Sequence, residues 1–358
     1  MKSFLINLLA FILKIEAKII LAKFHPQIIA VTGSIAKTST KEAIGAILES
    51  KLKSKVKKSP GNLNNKLGIP LAILGFVRTP SLWLWPWIVF CGFFRAIFIL
   101  VYPKILVLEI AADIPGDIAK ITEYVKPKIV VLTALGPAHL EFFGNLEGLI
   151  REKSELVRAV PKDGFVVLNQ EDGRVVQMAK DVQAQVKFFS GKGMEIASSA
   201  AIAVAQLYGI HSQESKKILS SMKSLPGRAN IFEGIKKTKI IDDSYNANPL
   251  SMANALEFLA DFPGKRKIAV LGDMLELGKY TEEEHKKVGK LAKKKTDLLV
   301  AIGPNSKKMK ADFWFGNING AKKFLLGKIV PGDIILVKAS RKMGLEKIVE
   351  NLREEKWK

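Results

Sequence analysis

The feature that most constrains the fold is an alternation. Short apolar, β-branched runs at 28–31, 105–109, 128–133, 165–169 and 186–189 are separated by segments with helical periodicity at 43–48, 115–125, 146–159, 174–181, 196–208 and 212–222. The pattern resumes with runs at 239–243, 267–271, 298–302, 313–315 and 334–338, and helices at 249–261, 281–294, 320–330 and 345–353. Strands that are apolar throughout are buried on both faces. A helix after each one returns the chain to the same end of the sheet, so the pattern predicts α/β architecture with parallel sheets wound on both faces. The turn Leu225-Pro226-Gly227-Arg228 divides the two series. The expected organisation is an apolar N-terminal helix over 1–26, a central domain over 27–226 with a hydrophobic insertion at 80–103, and a C-terminal domain over 227–358. Ligands of such sheets sit at the carboxyl ends of the strands. The second half has no G-x-G-x-x-G, so a dinucleotide site there has no support.

Ile28 to Glu42 reads as strand, small-residue turn, Lys37-Thr38, helix. That is the context of a phosphate-binding loop. Backbone N–H groups at the helix start face phosphate, the lysine neutralises its charge, and the threonine hydroxyl can ligate Mg²⁺. A strict pattern places glycine before the lysine and again five residues earlier, where this chain has Ala36 and Val31. The bland alternative is an ordinary strand-to-helix turn.

Lys and Arg exceed Asp and Glu by 56 to 34, a net charge of +22. Nucleic acid, an anionic lipid surface and anionic small substrates would each suit that excess. No nucleic-acid-binding module is present, and most lysines fall on solvated helix faces, so nucleic acid is not an expected partner. Cys91 is the one cysteine, which fits a reducing cytoplasm. Residues 3–22 are strongly apolar but interrupted by Lys14, Glu16 and Lys18. They predict a helix lying on a membrane surface or packed on the domain. Residues 82–102 are long enough to span a bilayer. A single crossing, however, would separate the phosphate loop from Glu109, the carboxylate ending the next strand. Pro86, Gly92 and Arg95 suggest two short segments dipping into the interface with Trp83, Trp85 and Trp87 at headgroup level. A buried insertion or a protein contact are the alternatives.

Taken together, these motifs resemble the Mur ligases, ATP-dependent amide ligases of peptidoglycan synthesis. The resemblance rests on Thr32-Gly33-Ser34 with Lys37-Thr38, Gly61-Asn62-Leu63-Asn64-Asn65 running to Pro70, and Leu108-Glu109-Ile110. It continues through Gly136-Pro137-Ala138-His139-Leu140-Glu141, Asp242 to Pro249, Leu271 to Gly278 and Lys338-Ala339-Ser340-Arg341. It implies a P-loop-type parallel-sheet central ATPase domain followed by a Rossmann-like C-terminal domain. The implied reaction has ATP phosphorylate a carboxylate, an amine attack the acyl phosphate, and ADP and phosphate leave. Such catalysis is mainly charge neutralisation and positioning.

On that resemblance, Gly33, Ser34, Lys37, Thr38 and Ser39 hold the nucleotide. Thr38, Glu109, His139 and Lys153 surround Mg²⁺, Lys153 after carbamylation. Arg228 is the hinge arginine near the phosphates, and Asp243, Tyr245, Asn246 and Asn248 close over the nucleotide. Asn62, Asn64 and Asn65 face substrate, and Lys338, Ser340 and Arg341 lie near the reacting centre. The implied partners are a muramoyl-peptide precursor, UDP- or lipid-linked, and D-alanyl-D-alanine. The implied location is cytoplasmic, peripheral to the inner face of the plasma membrane.

Departures from the family pattern are Ala36, Ala111, Ala134 and Ala339, a short stretch between Phe189 and Ala200, and only residues 1–26 before the loop. That leaves the family's N-terminal, UDP-gripping domain expected to be absent. A folylpolyglutamate- or poly-amino-acid-type ligase, and a non-catalytic scaffold that kept the fold, are the competing readings.

Overall fold

The computed structural model describes residues 2–61 and 63–354. They form two compact units, one running to Leu135 and resuming over Glu147–Met222, the other made of Gly136–Leu146 and the chain from Lys223 onward.

The first unit is built on six parallel strands: β1 Gln27–Thr32, β2 Val56–Lys58, β3 Ile105–Glu109, β4 Ile129–Leu132, β5 Phe165–Asn169 and β6 Gln185–Phe189. Their order is β2-β3-β1-β4-β5-β6. The central strands are buried from end to end, as their unbroken apolar runs require. Helices α1 Lys2–Phe24, α2 Lys37–Leu52, α3 Gly68–Leu74, α4 Trp85–Phe98 and α5 Asp117–Thr122 come first. Then follow α6 Leu140–Phe143, which counts with the second unit, α7 Leu146–Arg158, α8 Gly173–Gln177, α9 Glu195–Leu207 and α10 Ser212–Ser220.

The second unit contains β7 Asn230–Gly234, β8 Thr238–Asp242, β9 Arg266–Gly272, β10 Leu298–Ile302, β11 Phe313–Phe315 and β12 Asp333–Lys338. Their order is β11-β10-β9-β12-β8-β7, parallel except for β7 against β8. Alternate residues of each strand supply opposite cores. Ile241, Ala269 and Leu271 meet α11 Pro249–Asp261 and α12 Thr281–Lys295 on one face. Ile240, Ile268 and Val270 meet α13 Ile318–Lys328 and α14 Glu346–Leu352 on the other. This is the two-faced winding that the alternation predicts.

Several short elements escape the sequence pattern. β2 is Val-Lys-Lys, too short and too charged to read as a strand, and it forms a sheet edge, where lysines are favoured. β7 also pairs at an edge, and α3 hides in the turn-rich Gly68–Leu74 run. The insertion differs from expectation as well. It forms one helix, α4, rather than two dipping segments. Pro86 sits in its first turn, where a missing N–H costs nothing. Gly92 lies where a Cβ would collide with Glu16 of α1. Helix α1 buries Leu13, Ala17 and Ile20 and packs against α3 and α4. Among the described residues no helix is long and apolar enough to cross a membrane.

Candidate active site

In the first unit the site grows from the carboxyl end of β1. Val31 pairs with Glu109 in the β1–β3 ladder, which puts the Glu109 carboxylate beside the strand's exit. Gly33 leaves the strand at φ 144°, and a Cβ there would collide with the Thr133 hydroxyl, so only glycine permits the approach. That hydroxyl bonds the Ile35 carbonyl at 2.7 Å, and Ser34 N–H donates to the Ala134 carbonyl at 2.7 Å. The extension of β4 therefore clamps the loop from one side. Ala36 turns the loop into α2 in the left-handed conformation, φ 58°. A residue with a Cβ holds that geometry at a cost of about 1–2 kcal/mol. Lys37 and Thr38 then open α2, half-buried like Ser39.

The asparagine segment divides its labour. Asn64 Nδ2 donates to Glu109 Oε1 at 2.8 Å, while the buried Glu109 Oε2 has no hydrogen-bond partner among the described residues. Asn65 is spent locally: its Oδ1 accepts from Gly68 N–H at 3.1 Å and its Nδ2 donates to Asp113 at 3.2 Å. Asn62 lies outside the described residues.

Lys153 is buried on α7. Its neighbour Glu152 accepts 2.7 Å hydrogen bonds from Gly116 N–H and Ile118 N–H and so anchors the start of α5. Burial, reinforced by the charge of Lys37, pushes the Lys153 amine down to about 7, against the pull of Glu152 and Glu109. The structure thus brings Lys37, Glu109 and Lys153 within one electrostatic neighbourhood.

Lys41 is the residue that sequence reasoning missed. It is fully buried, and its Nζ donates to the Ser59 carbonyl at 2.6 Å and the Gly61 carbonyl at 2.9 Å, with Glu42 at 3.0 Å. It ties the phosphate-loop helix to the start of the asparagine segment. Its spacing was a usable signal, because Lys41 shares a helical stripe with the buried Ile44 and Leu48.

In the second unit, Lys338 ends β12 and is buried. Its Nζ donates to Asp243 Oδ2 at 2.6 Å and to the Asn246 carbonyl at 2.8 Å. Tyr245 has the Arg228 guanidinium 4.3 Å and the Arg341 guanidinium 5.5 Å from its ring centre, a flat cationic cluster suited to an anionic, aromatic ligand. Ser340 Oγ accepts from Leu275 N–H at 2.9 Å, and Asn248 caps α11 through Ser251 N–H. Both therefore have structural duties.

His139 belongs to this unit. It adopts a left-handed conformation and places Nδ1 2.6 Å from Glu276, whose carboxyl it holds below the usual range. Glu276 is a second residue not anticipated as part of the site; only the Leu271–Gly278 motif pointed towards it.

A Gly-Ser turn leading to Lys37-Thr38 on one parallel sheet, and an Arg-Tyr-Arg cluster on a second α/β unit, fit the class of nucleotide-dependent enzymes. The "Mur ligase middle domain" model matches residues 95–232, and the "Mur ligase, glutamate ligase domain" model matches 227–341. The UDP-N-acetylmuramoyl-tripeptide–D-alanyl-D-alanine ligase of Bacillus subtilis is 29% identical over 94% of this chain and 78% of its own length. The MurF ligase of Thermotoga maritima in complex with ADP aligns with a TM-score of 0.79 at 28% identity, over 96% of this chain and 83% of that one. MurF from Acinetobacter baumannii aligns with a TM-score of 0.79 at 25% identity, over 95% and 79%. The chain belongs to the Mur ligase family and is an ATP-dependent, ADP-forming amide ligase of peptidoglycan precursor synthesis.

Proposed function

We propose that this ligase joins D-alanyl-D-alanine to a muramoyl-tripeptide. The observation that carries the reading is the similarity, over nearly the whole chain, to ligases named for that reaction. Lys37 and the N–H groups at the start of α2 receive the phosphates. They neutralise charge as it shifts from ATP to the substrate carboxylate. Asn64 orients Glu109.

Mg²⁺ fits this site. The unpartnered, buried Glu109 Oε2 is a hard oxygen donor, and Mg²⁺ is usually held by one or two carboxylates with phosphates and water. Among the described residues no three His, Cys, Asp or Glu groups cluster for a metal. Thr38, Glu109 and a carbamate on Lys153 would hold the ion, and the ion would supply charge neutralisation at the phosphates. A lysine amine near neutrality can attack CO₂: the N–C bond forms, one proton leaves the nitrogen, and a carboxylate-like ligand results. Within the second unit, Glu276 sets His139, Arg228 and Arg341 lie against Tyr245, and Asp243 holds Lys338. The same reading places the enzyme in the cytoplasm, peripheral to the inner face of the plasma membrane, with a lipid-linked precursor as one form of the acceptor.

The test is an ATP-dependent ligation assay offering UDP-linked and lipid-linked muropeptides with D-alanyl-D-alanine, for wild type and Lys37→Ala. ADP release that requires both substrates and disappears in Lys37→Ala is expected. ATP turnover with glutamate or folate substrates, and none with muropeptides, would overturn the reading.

A further inference from the structure

Helices α1 and α4 of the first unit bury only part of their apolar surface. In α1, Leu13, Ala17 and Ile20 are buried, while Leu8, Phe11, Ile15 and Ile19 form an exposed stripe at helical spacing. In α4 the exposed side carries Trp87, Phe90, Phe94 and Phe98. Successive ring centres lie 5.5, 4.6 and 5.6 Å apart, a continuous aromatic ladder along the helix. Trp83, 90% exposed, precedes the helix, and Leu100 and Val101, 86% and 84% exposed, follow it.

This platform is firmly built. At Gly92 of α4 the Glu16 carboxylate of α1 occupies the space that a Cβ would take. Lys23 Nζ donates to the Ile97 and Ile99 carbonyls at 2.8 Å each, and Phe24 stacks on Tyr102 at 5.2 Å. Arg95 reaches the Leu74 carbonyl, and Lys14 pairs with Glu123. Single exposed apolar residues are ordinary, whereas a contiguous aromatic and aliphatic face marks an interaction surface.

Charge identifies the occupant. Residues 1–104 contain fifteen Lys and Arg against three Glu and no Asp. Lys18, Arg78 and Lys104, all exposed, are interleaved with the apolar residues. An apolar face with tryptophans and a lysine and arginine border is what an anionic bilayer surface accepts. The rings enter the acyl boundary and the cations meet the headgroups. We propose that the exposed faces of α1 and α4 together dock the enzyme in the plane of an anionic lipid surface, without crossing it. This rests on the peripheral location proposed above and gives it a specific surface and lipid charge.

The test is flotation of the full chain with vesicles of phosphatidylcholine, with and without phosphatidylglycerol. The comparison variant is Trp87→Ser/Phe94→Ser, which changes only exposed side chains. Flotation with the phosphatidylglycerol vesicles is expected to weaken as salt rises and to fall at least ~10-fold in the variant, with ATP turnover and Tm unchanged. Absence of flotation, flotation unaffected by the variant, or concentration-dependent self-association through this face without lipid binding would each overturn the proposal. Failure of ligation while flotation persists would count against the substrate reading and leave the surface standing.

Discussion

Two lysines are buried in the first unit, and their surroundings differ in kind. Lys41 is supplied with acceptors: two backbone carbonyls and a neighbouring carboxylate converge on its amine. Lys153 has a cation, Lys37, among its neighbours, and the adjacent carboxylate of Glu152 is committed to the N–H groups of α5. A buried ammonium with its donors satisfied is a brace. One buried beside another cation is driven toward the neutral amine, the form that can react. Burial alone therefore does not distinguish a structural lysine from a chemical one; the atoms around Nζ do.

The comparison can be broken at several points. Lys37→Ala should have the largest effect, lowering ligation by roughly 10³-fold or more as the phosphates lose their counter-charge. It also removes the positive neighbour of Lys153, so the Lys153 amine should titrate higher in that variant, as nitrogen-resolved NMR would show. Lys41→Met should strand two carbonyls and lower stability by about 2–5 kcal/mol, a fall in Tm of roughly 10 °C by calorimetry. Lys153→Met should abolish ligation without that loss of Tm; a Tm drop matching that of Lys41→Met would dissolve the distinction.

The pH dependence separates them further. The folded amine of Lys153 lies at about 7, below its unfolded value of 10.5, so between these values the unfolded chain holds the extra proton. Its contribution to stability therefore rises as pH increases from about 7, with a slope of at most ~1.4 kcal/mol per unit, and the charged form carries its full penalty below 7. Urea titrations in CO₂-free buffer at pH 7 and 9 should show this rise in wild type and lose it in Lys153→Met. The smallest effect belongs to Ala36→Gly. It relieves the left-handed strain and should add ~1 kcal/mol while leaving the loop competent.

The sequence made the strands legible wherever apolar runs were long, because strands buried on both faces leave an unbroken pattern. β2 and β7 were not legible, since edge strands need only one covered side and tolerate Lys57, Lys58 and Glu233. At the site, Lys37, Glu109 and Lys153 could be named from motif order, and in the structure all three lie in the first unit. The second-unit residues drawn from the same motifs are joined there by contacts that no motif specifies, Tyr245 between Arg228 and Arg341 above all. The pairing of His139 with Glu276 was not legible, because Glu276 lies far along the chain in a turn with no periodic pattern, and its motif does not name its partner. The insertion was misread because Pro86 and Gly92 look like helix breakers. One is harmless in a first turn, and the other leaves room for the Glu16 carboxylate without interrupting the helix.

The most direct test of the account is isothermal titration of the chain with ATP and Mg²⁺, alongside Lys37→Ala. Saturable binding in wild type that is lost in Lys37→Ala is predicted, despite alanine at position 36. Absence of binding in wild type would contradict the account and leave a scaffold with the fold of a ligase.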